Sequence, residues 1–172
     1  MALIAEELVQ EWLNRQGYFT IRGARLGNHE LDLLAVKIKV DGTFDCRHIE
    51  VNAAVRPIGY LGPEKSAKLQ SVEQQHEHAR RWVQTKFHAN GKPELRERLA
   101  TGQQWSLEVV LHKLKGPDQL TAIRAAGIKT LRLSDIIGDL NKPIKEFPTV
   151  LVAAGGQSLF DLLAAGESTS IP

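Results

Sequence analysis

The sequence predicts an α/β protein in which helices flank a mixed central β-sheet. Three observations predict this class: an amphipathic segment opens the chain, two apolar runs are separated by Asp41-Gly42, and residues 105–133 follow a strand–helix–strand pattern. Asp-Gly is a strong signal for a tight hairpin, so the two apolar runs should pair as antiparallel strands. A strand–helix–strand unit is a crossover that adds strands to the same sheet. The sheet should therefore be mixed.

Length and composition describe an ordinary globular chain. Its 172 residues fit a single domain, because domains typically hold about 100–200 residues. Hydrophobic residues make up 42% of the chain, which is enough for a core, so extensive disorder is not expected. The formal net charge of +2 is too small to indicate a nucleic-acid partner by itself, and any basic patch must come from local clustering.

Cysteine usage and hydropathy indicate where the protein works. Cys46 is the single cysteine, which excludes an internal disulfide and a multi-cysteine zinc site and fits a reducing compartment. No apolar run approaches the roughly 18 residues that suggest a membrane span, and the N-terminus lacks the layout of a signal peptide. We therefore expect a soluble, cytoplasmic protein with no membrane partner.

The first elements are a helix and a short strand. Residues 3–16 carry apolar side chains at helical spacing, and Gly17 is well placed to end this helix. Residues 18–21 are predicted to form a short strand, and residues 22–28 a glycine-containing turn that carries two arginines.

The centre of the chain is predicted to be a long loop followed by helices. Residues 53–63 contain two prolines and two glycines and should form the loop. Residues 64–87 are polar apart from one narrow apolar stripe, which predicts a long, mostly solvated helix. Residues 90–93 should break it, and residues 94–100 should form a further short helical turn.

The last elements complete the sheet. Residues 105–111 and 128–133 are predicted strands, residues 118–126 are a predicted helix, and Ser134 should cap a short helix that ends at Leu140. Together these elements extend the predicted domain to residue 140.

Residues 141–172 are expected to form a C-terminal tail outside the domain of residues 1–140. This tail contains prolines, a Gly155-Gly156 pair and a short amphipathic segment at residues 158–165. The amphipathic segment could pack on the core or on another subunit, and the sequence leaves both arrangements open.

Two acids interrupt the apolar hairpin. Asp32 and Glu50 each lie between apolar residues of a predicted strand. Because side chains alternate across a strand, Glu30 shares a face with Asp32, and His48 and Asn52 share a face with Glu50. Converging acids in an apolar setting repel each other unless they share a cation or a proton, which favours a hard divalent metal ion. The alternative is that both acids lie on the solvent face of an ordinary hairpin.

The motifs around these acids resemble those of one nuclease superfamily. They are Ala5-Glu6-Glu7-Leu8, Arg15-Gln16-Gly17-Tyr18, Glu30-Leu31-Asp32-Leu33-Leu34-Ala35 and Ile49-Glu50-Val51. In this order they resemble small bacterial endonuclease-like proteins of the PD-(D/E)XK superfamily, which have the restriction-endonuclease-like fold. The resemblance covers residues 5–52 through motifs and extends to about residue 140 through topology alone.

This resemblance implies a metal-dependent nuclease. Glu6, Asp32 and Glu50 would hold Mg²⁺ or Mn²⁺, with Glu7 as the alternative to Glu6 and the Val51 carbonyl as a further ligand. The implied reaction is hydrolysis of DNA phosphodiester bonds, without sequence specificity or with selectivity for DNA structure, because no recognition module is visible.

Asn52 departs from the superfamily pattern. A lysine is expected two residues after the strand glutamate, where its charge helps to position the attacking water, and asparagine carries no charge. Either activity is reduced or lost, or a basic side chain from elsewhere fills the place. The candidates from the sequence are Lys65, Lys68 and Arg56.

Contact with DNA would be electrostatic. Basic residues near the proposed metal site could bind phosphates, although each one alone is also explained as a solvated surface charge. They are Arg22, Arg25, Arg56, Lys65 and Lys68, with Arg80 and Arg81 farther along the predicted long helix.

Three functions therefore remain open from the sequence. The first is a divalent-metal-dependent nuclease, favoured by the three acids. The second is a catalytically silent module of the same fold that binds DNA or a protein partner, as a homo-oligomer or within a larger assembly, and Asn52 favours it. The third is an unrelated α/β domain with an accidental motif.

Overall fold

A five-stranded mixed β-sheet flanked by helices forms the centre of the protein, so the predicted α/β class is confirmed. The computed structural model describes residues 2–52, 71–112 and 117–142. The chain divides into two units, Met1–Asn141 and Lys142–Pro172, and every element below belongs to the first. The predicted loop of residues 53–63 and the tail segment at 158–165 lie outside the described residues.

The strands follow the chain order across the sheet, β1-β2-β3-β4-β5. Their bounds are β1 Phe19–Leu26, β2 His29–Ile38, β3 Phe44–Asn52, β4 Trp105–Leu111 and β5 Lys129–Arg132. The described helices are α1 Ala2–Arg15, α2 Val72–Val83, α3 Lys92–Leu99, α4 Pro117–Ala125 and α5 Leu133–Leu140. A single π-helical turn, Gln84–His88, continues from the end of α2 and is called the π-turn below.

The β2–β3 hairpin forms at the position that its sequence predicts. The two strands pair antiparallel, with Leu33 opposite Ile49. Gly42 has φ 81°, a conformation that glycine adopts without strain, and the Thr43 N–H and hydroxyl both donate to Asp41 Oδ1. Asp41 therefore accepts the hydrogen bonds that hold the turn, and Gly42 provides its backbone conformation.

Strands β3, β4 and β5 are parallel, as the predicted crossover requires. Helix α4 connects β4 to β5, and the longer connection from β3 to β4 contains α2, the π-turn and α3. The sheet is therefore antiparallel at its β1 end and parallel at its β5 end.

Helices cover both faces of the sheet. Arg47 and His48 are adjacent on β3 and so point to opposite faces. The Arg47 guanidinium lies 5.1 Å from the Trp12 ring of α1, whereas the His48 ring lies 4.8 Å from the Phe87 ring of the π-turn. Helix α1 and the π-turn therefore lie on opposite faces.

One apolar cluster joins α2, the π-turn, α4 and the parallel strands. Its buried members come from α2, the π-turn, α4 and β4, together with Ile128 just before β5. They are Ala79, Val83, Phe87, Val109, Leu111, Ala122, Ile123 and Ile128.

The predicted short strand and turn at residues 18–28 are wrong in their bounds. Strand β1 continues to Leu26, and the chain reverses only at Gly27, which has φ 59°. Pairing of Arg22 with Leu33 and of Ala24 with Leu31 extends the strand through Gly23. The hydrogen-bonded ladder outweighs the local preference of glycine for a turn.

Two predicted helix starts are also wrong. Helix α2 begins at Val72, because Ser71 forms a capping box with Gln74 that fixes the N-terminus there. Helix α5 begins at Leu133 with Arg132 at the N-cap, so Ser134 lies inside the helix, where its hydroxyl donates to Asp135. Residues 64–70 lie outside the described ranges.

No helix in the described ranges has the length and apolar character needed to cross a membrane. The longest, α1, has 14 residues, whereas a span needs about 20.

Candidate functional site

A cavity of about 580 Å³ opens between the β1–β2 turn and the π-turn. Its lining includes Glu6 of α1, Asp32 of β2 and Lys86 of the π-turn. Glu30 of β2, Arg25 of β1 and Lys92 of α3 line the cavity as well. Separate elements therefore bring several acids and bases into the same space.

Asp32 is held at the floor of this cavity by the neighbouring strand. Its Oδ2 accepts the Val51 N–H at 2.7 Å. The β2–β3 register pairs Leu33 with Ile49, and its continuation places Asp32 opposite Glu50. Burial and the charge of Glu50 raise the pKa of Asp32 to about 6, while the Val51 hydrogen bond and the charge of Lys86 oppose the rise.

Glu50 lies deeper and is almost fully buried, with 2% exposure. Its Oε2 accepts from Lys86 Nζ at 2.8 Å, and its Oε1 accepts from Lys92 Nζ at 3.3 Å and lies 3.2 Å from His48 Nε2. Burial alone would raise the pKa of Glu50. The hydrogen bond to His48 and the charges of Lys86 and Lys92 outweigh burial and hold that pKa below its ordinary value.

His48 is a neutral hydrogen-bond bridge in this cluster. Its Nδ1 lies 2.7 Å from Arg96 Nη1, and a guanidinium can only donate, so Nδ1 must be the acceptor. The ring proton is therefore on Nε2, which donates to Glu50 Oε1. Burial lowers the pKa of His48, which agrees with the neutral form.

Lys86 brings a positive charge to the cavity beside Asp32 and Glu50. Its side chain is 40% exposed, and Nζ pairs with Glu50 Oε2. Burial would lower the pKa of Lys86, but the charge and hydrogen bond of Glu50 outweigh burial and raise that pKa. The ammonium is therefore protonated beside Asp32 and Glu50 at neutral pH.

The sequence pattern around Lys86 indicates a buried partner for this lysine. Ala79 and Val83 lie on the buried stripe of α2, and a lysine three residues beyond Val83 continues that stripe. A lysine on a buried stripe needs a partner, and here Glu50 supplies it. The candidates named from the sequence for this basic group, Lys65, Lys68 and Arg56, lie outside the described residues.

The two adjacent acids of α1 point to different places. Glu6 lines the cavity, whereas Glu7 Oε1 lies 2.9 Å from Arg22 Nη1 in an ion pair without a well-aligned hydrogen bond. Burial raises the pKa of Glu6; the charge of Arg22 opposes this rise and that of Glu30 adds to it. Of the two candidates on α1, Glu6 is the one that faces Asp32.

The remaining predicted residues occupy different positions. Arg25 is exposed and lines the cavity, whereas Arg22 pairs with Glu7 and is not part of the lining. Asn52 lies at the end of β3, half-buried, and its carbonyl accepts the His112 N–H at 3.2 Å. Val51 contributes its N–H to Asp32.

Within residues 2–52, 71–112 and 117–142, no three His, Cys, Asp or Glu side chains lie close enough together to hold a metal ion by themselves. Glu50 takes part in three contacts with His48, Lys86 and Lys92, and Asp32 uses one oxygen for the Val51 N–H. The described geometry is thus a group of three cavity acids, Glu6, Glu30 and Asp32, with a neutralised acid, Glu50, behind them.

Comparisons with known proteins give little further information. No protein-family model matches the chain, and no curated protein matches it. One crystal structure, of a protein of unknown function called AF1548, is similar with a TM-score of 0.47 and 16% identity, and the match covers 94% of this chain and 76% of that one.

Proposed function

We propose that the protein is a divalent-metal-dependent nuclease that hydrolyses phosphodiester bonds of DNA. One observation carries the proposal: Glu6 and Asp32 share a cavity with a lysine that is itself held 2.8 Å from the third predicted acid, Glu50. Carboxylates can hold a divalent ion that activates water, and an adjacent ammonium can stabilise charge on a phosphate. In this proposal the ammonium is that of Lys86 rather than one at position 52.

The donor set fits Mg²⁺ or Mn²⁺. Glu6 and Asp32 offer hard carboxylate oxygens, and Mg²⁺ is commonly held by one or two carboxylates together with water and substrate phosphate. Burial, and after it the charge of Glu50, raises the pKa of Asp32 to about 6, and a bound cation would favour the ionised form against both effects. Glu6 and Asp32 would hold the ion, with the Val51 carbonyl as a further ligand, and Glu50 would join them only by giving up a contact with His48, Lys86 or Lys92. The bound ion would supply an activated water and charge stabilisation on the phosphate.

Lys86 would act on the phosphate or on the attacking water through its ammonium. Its partner Glu50 fixes the direction of the side chain, so the donor is already oriented before substrate binds. A preorganised donor in a partly dry site is worth roughly 10²–10³ in rate. Asn52, half-buried at the end of β3, adds no charge. Lys86 would therefore supply the positive charge that the motif lysine supplies in PD-(D/E)XK nucleases.

Phosphate contacts away from the reacting bond would come from basic side chains at the rim. Arg25 is exposed at the cavity and is the described residue best placed for this role. Arg56, Lys65 and Lys68 remain candidates from the sequence. Contacts of this kind carry no base information, which fits cleavage without sequence specificity.

A silent DNA- or protein-binding module is the second candidate, and one observation favours it. Glu50 is already neutralised by Lys86 and Lys92, so its charge needs no metal ion. A module of this kind would bind DNA through its basic side chains, with an affinity that falls steeply as salt concentration rises, or would act within a larger assembly.

Plasmid nicking separates the two candidates. The wild type should nick supercoiled DNA in Mg²⁺ or Mn²⁺, and Asp32→Asn and Lys86→Met should each abolish nicking. Lys37→Met is the matched control, because it makes the same substitution at a part-buried lysine whose Nζ donates to the Gln16 carbonyl and which lies outside the cavity lining.

The same assay can also contradict the nuclease proposal. Nicking that survives Asp32→Asn would come from a contaminating nuclease. If no Asp32-dependent nicking occurs, the enzyme proposal fails, and salt-dependent DNA binding without metal would then support the silent module.

A further inference from the structure

Two basic residues of α3 are buried where the π-turn meets β3. Lys92 is 3% exposed and Arg96 is 7% exposed, although lysine and arginine are rarely buried without partners. They are four residues apart and so lie on the same face of the helix. That face contacts both the π-turn and β3.

Lys92 makes one contact with each of these two elements. Its Nζ donates to the backbone carbonyl of Lys86 at 2.6 Å and to Glu50 Oε1 at 3.3 Å. The contact with the carbonyl is the shorter one, so neutralising Glu50 does not account for all of the role of Lys92.

Arg96 repeats the pattern one helical turn later. Its Nη1 donates to the backbone carbonyl of Phe87 at 2.8 Å and to His48 Nδ1 at 2.7 Å. Lys92 and Arg96 thus bind consecutive carbonyls of the π-turn, and they bind side chains two residues apart on one face of β3.

We propose that Lys92 and Arg96 are positioning residues that clamp the π-turn to β3 and thereby set where the Lys86 ammonium stands. Carbonyls at the end of a helical segment lack partners within the helix, and buried carbonyls must find them elsewhere. Here both partners come from α3 and are anchored in turn by Glu50 and His48. The catalytic consequence rests on the nuclease function proposed above, whereas the clamp itself does not.

The first test follows Lys86 directly and needs no activity. In ¹⁵N-lysine-labelled, metal-free protein, the ammonium signal of Lys86, assigned by its loss in Lys86→Met, should be visible because the ion pair with Glu50 slows its exchange. It should disappear or shift in Lys92→Met, while backbone amide signals of the sheet persist. Lys37→Met should leave the Lys86 signal in place.

Kinetics provide the second readout. Lys92→Met should lower kcat by about 10²-fold, the size expected for a small misplacement of a reacting group, and leave KM unchanged. Lys92→Arg, which can still donate to both the carbonyl and Glu50, should recover most of this loss. A role in DNA affinity would raise KM instead and would contradict the clamp.

A second variant covers the chance that Lys92→Met does not fold. Arg96→Gln removes the guanidinium and has a shorter side chain, so its amide cannot span both the Phe87 carbonyl and His48 as Arg96 Nη1 does. The substitution leaves Lys86 and Lys92, the charged partners of Glu50, in place. It should shift the Lys86 signal in the same way. An unchanged Lys86 signal in either folded variant overturns the clamp, whereas a shifted signal in a protein without nuclease activity would sustain the clamp and refute only the nuclease function.

Discussion

Replacing Asp32 with asparagine tests how much the ionised carboxylate of Asp32 lowers the free energy of unfolding. Burial and the charge of Glu50 raise the pKa of Asp32 from 3.8 to about 6. A tenfold change in an acid dissociation constant corresponds to about 1.4 kcal/mol. Ionised Asp32 therefore lowers the free energy of unfolding by up to about 3 kcal/mol.

The pH range of this cost follows from the direction of the pKa change. The folded protein binds the Asp32 proton more tightly than the unfolded chain does, so the cost is absent below about pH 4 and grows as the pH rises to about 6. Above that range it is complete. Asp32→Asn avoids it, and the amide oxygen can still accept the Val51 N–H. The variant should therefore match the wild type near pH 4 and be more stable near pH 8.

Urea unfolding followed by tryptophan fluorescence, with a chelator present, measures this difference at both pH values. Asp41→Asn is the control with the opposite sign, because hydrogen bonds from Thr43 lower the pKa of the exposed Asp41. That variant should lose stability at neutral pH relative to the wild type. If Asp32→Asn is less stable near pH 8, or if its advantage does not depend on pH, the reasoning about the cavity acids is refuted.

Three further predictions concern the metal ion and the lysines. Millimolar Mg²⁺ or Mn²⁺ should raise the Tm of the wild type by mass action but not that of Asp32→Ala, and an equal rise in both would place the ion elsewhere. Asn52→Lys should change the nicking rate by less than about tenfold if Lys86 already supplies the charge, whereas a gain of roughly 10²–10³ would show that the charge is missing. Glu50→Gln should lower the free energy of unfolding in urea by roughly 3–5 kcal/mol because buried Lys92 loses its counter-charge, and a small change would contradict that pairing.

Much of the sheet could be predicted because its signals are local. The Asp41-Gly42 turn and the alternation around Asp32 and Glu50 lie within one hairpin, and residues 105–111 were predicted as a strand with the observed bounds. Signals of this kind depend on neighbours in sequence, which a single chain displays directly.

The missed features depend on distant parts of the chain. The length of β1 is decided by its partner strand, since pairing with Leu31 and Leu33 extends it beyond Gly23. The position of the Lys86 ammonium is set by Glu50, 36 residues earlier. A local sequence pattern does not identify a partner that is distant in the chain. A lysine on a buried helical stripe indicates only that a partner exists.

The site is divided between two stretches of the chain, and this division bears on the order of folding. Glu6, Asp32 and Glu50 precede residue 53, whereas the lysines that neutralise Glu50 follow it, and β3 and β4 are separated by residues 53–104. Hairpins close before long parallel connections, because loop closure costs more entropy as the loop lengthens. The acids should therefore meet before their cations arrive. Protonation or a bound cation would relieve the repulsion among these acids. We therefore expect refolding to accelerate in mild acid or with Mg²⁺.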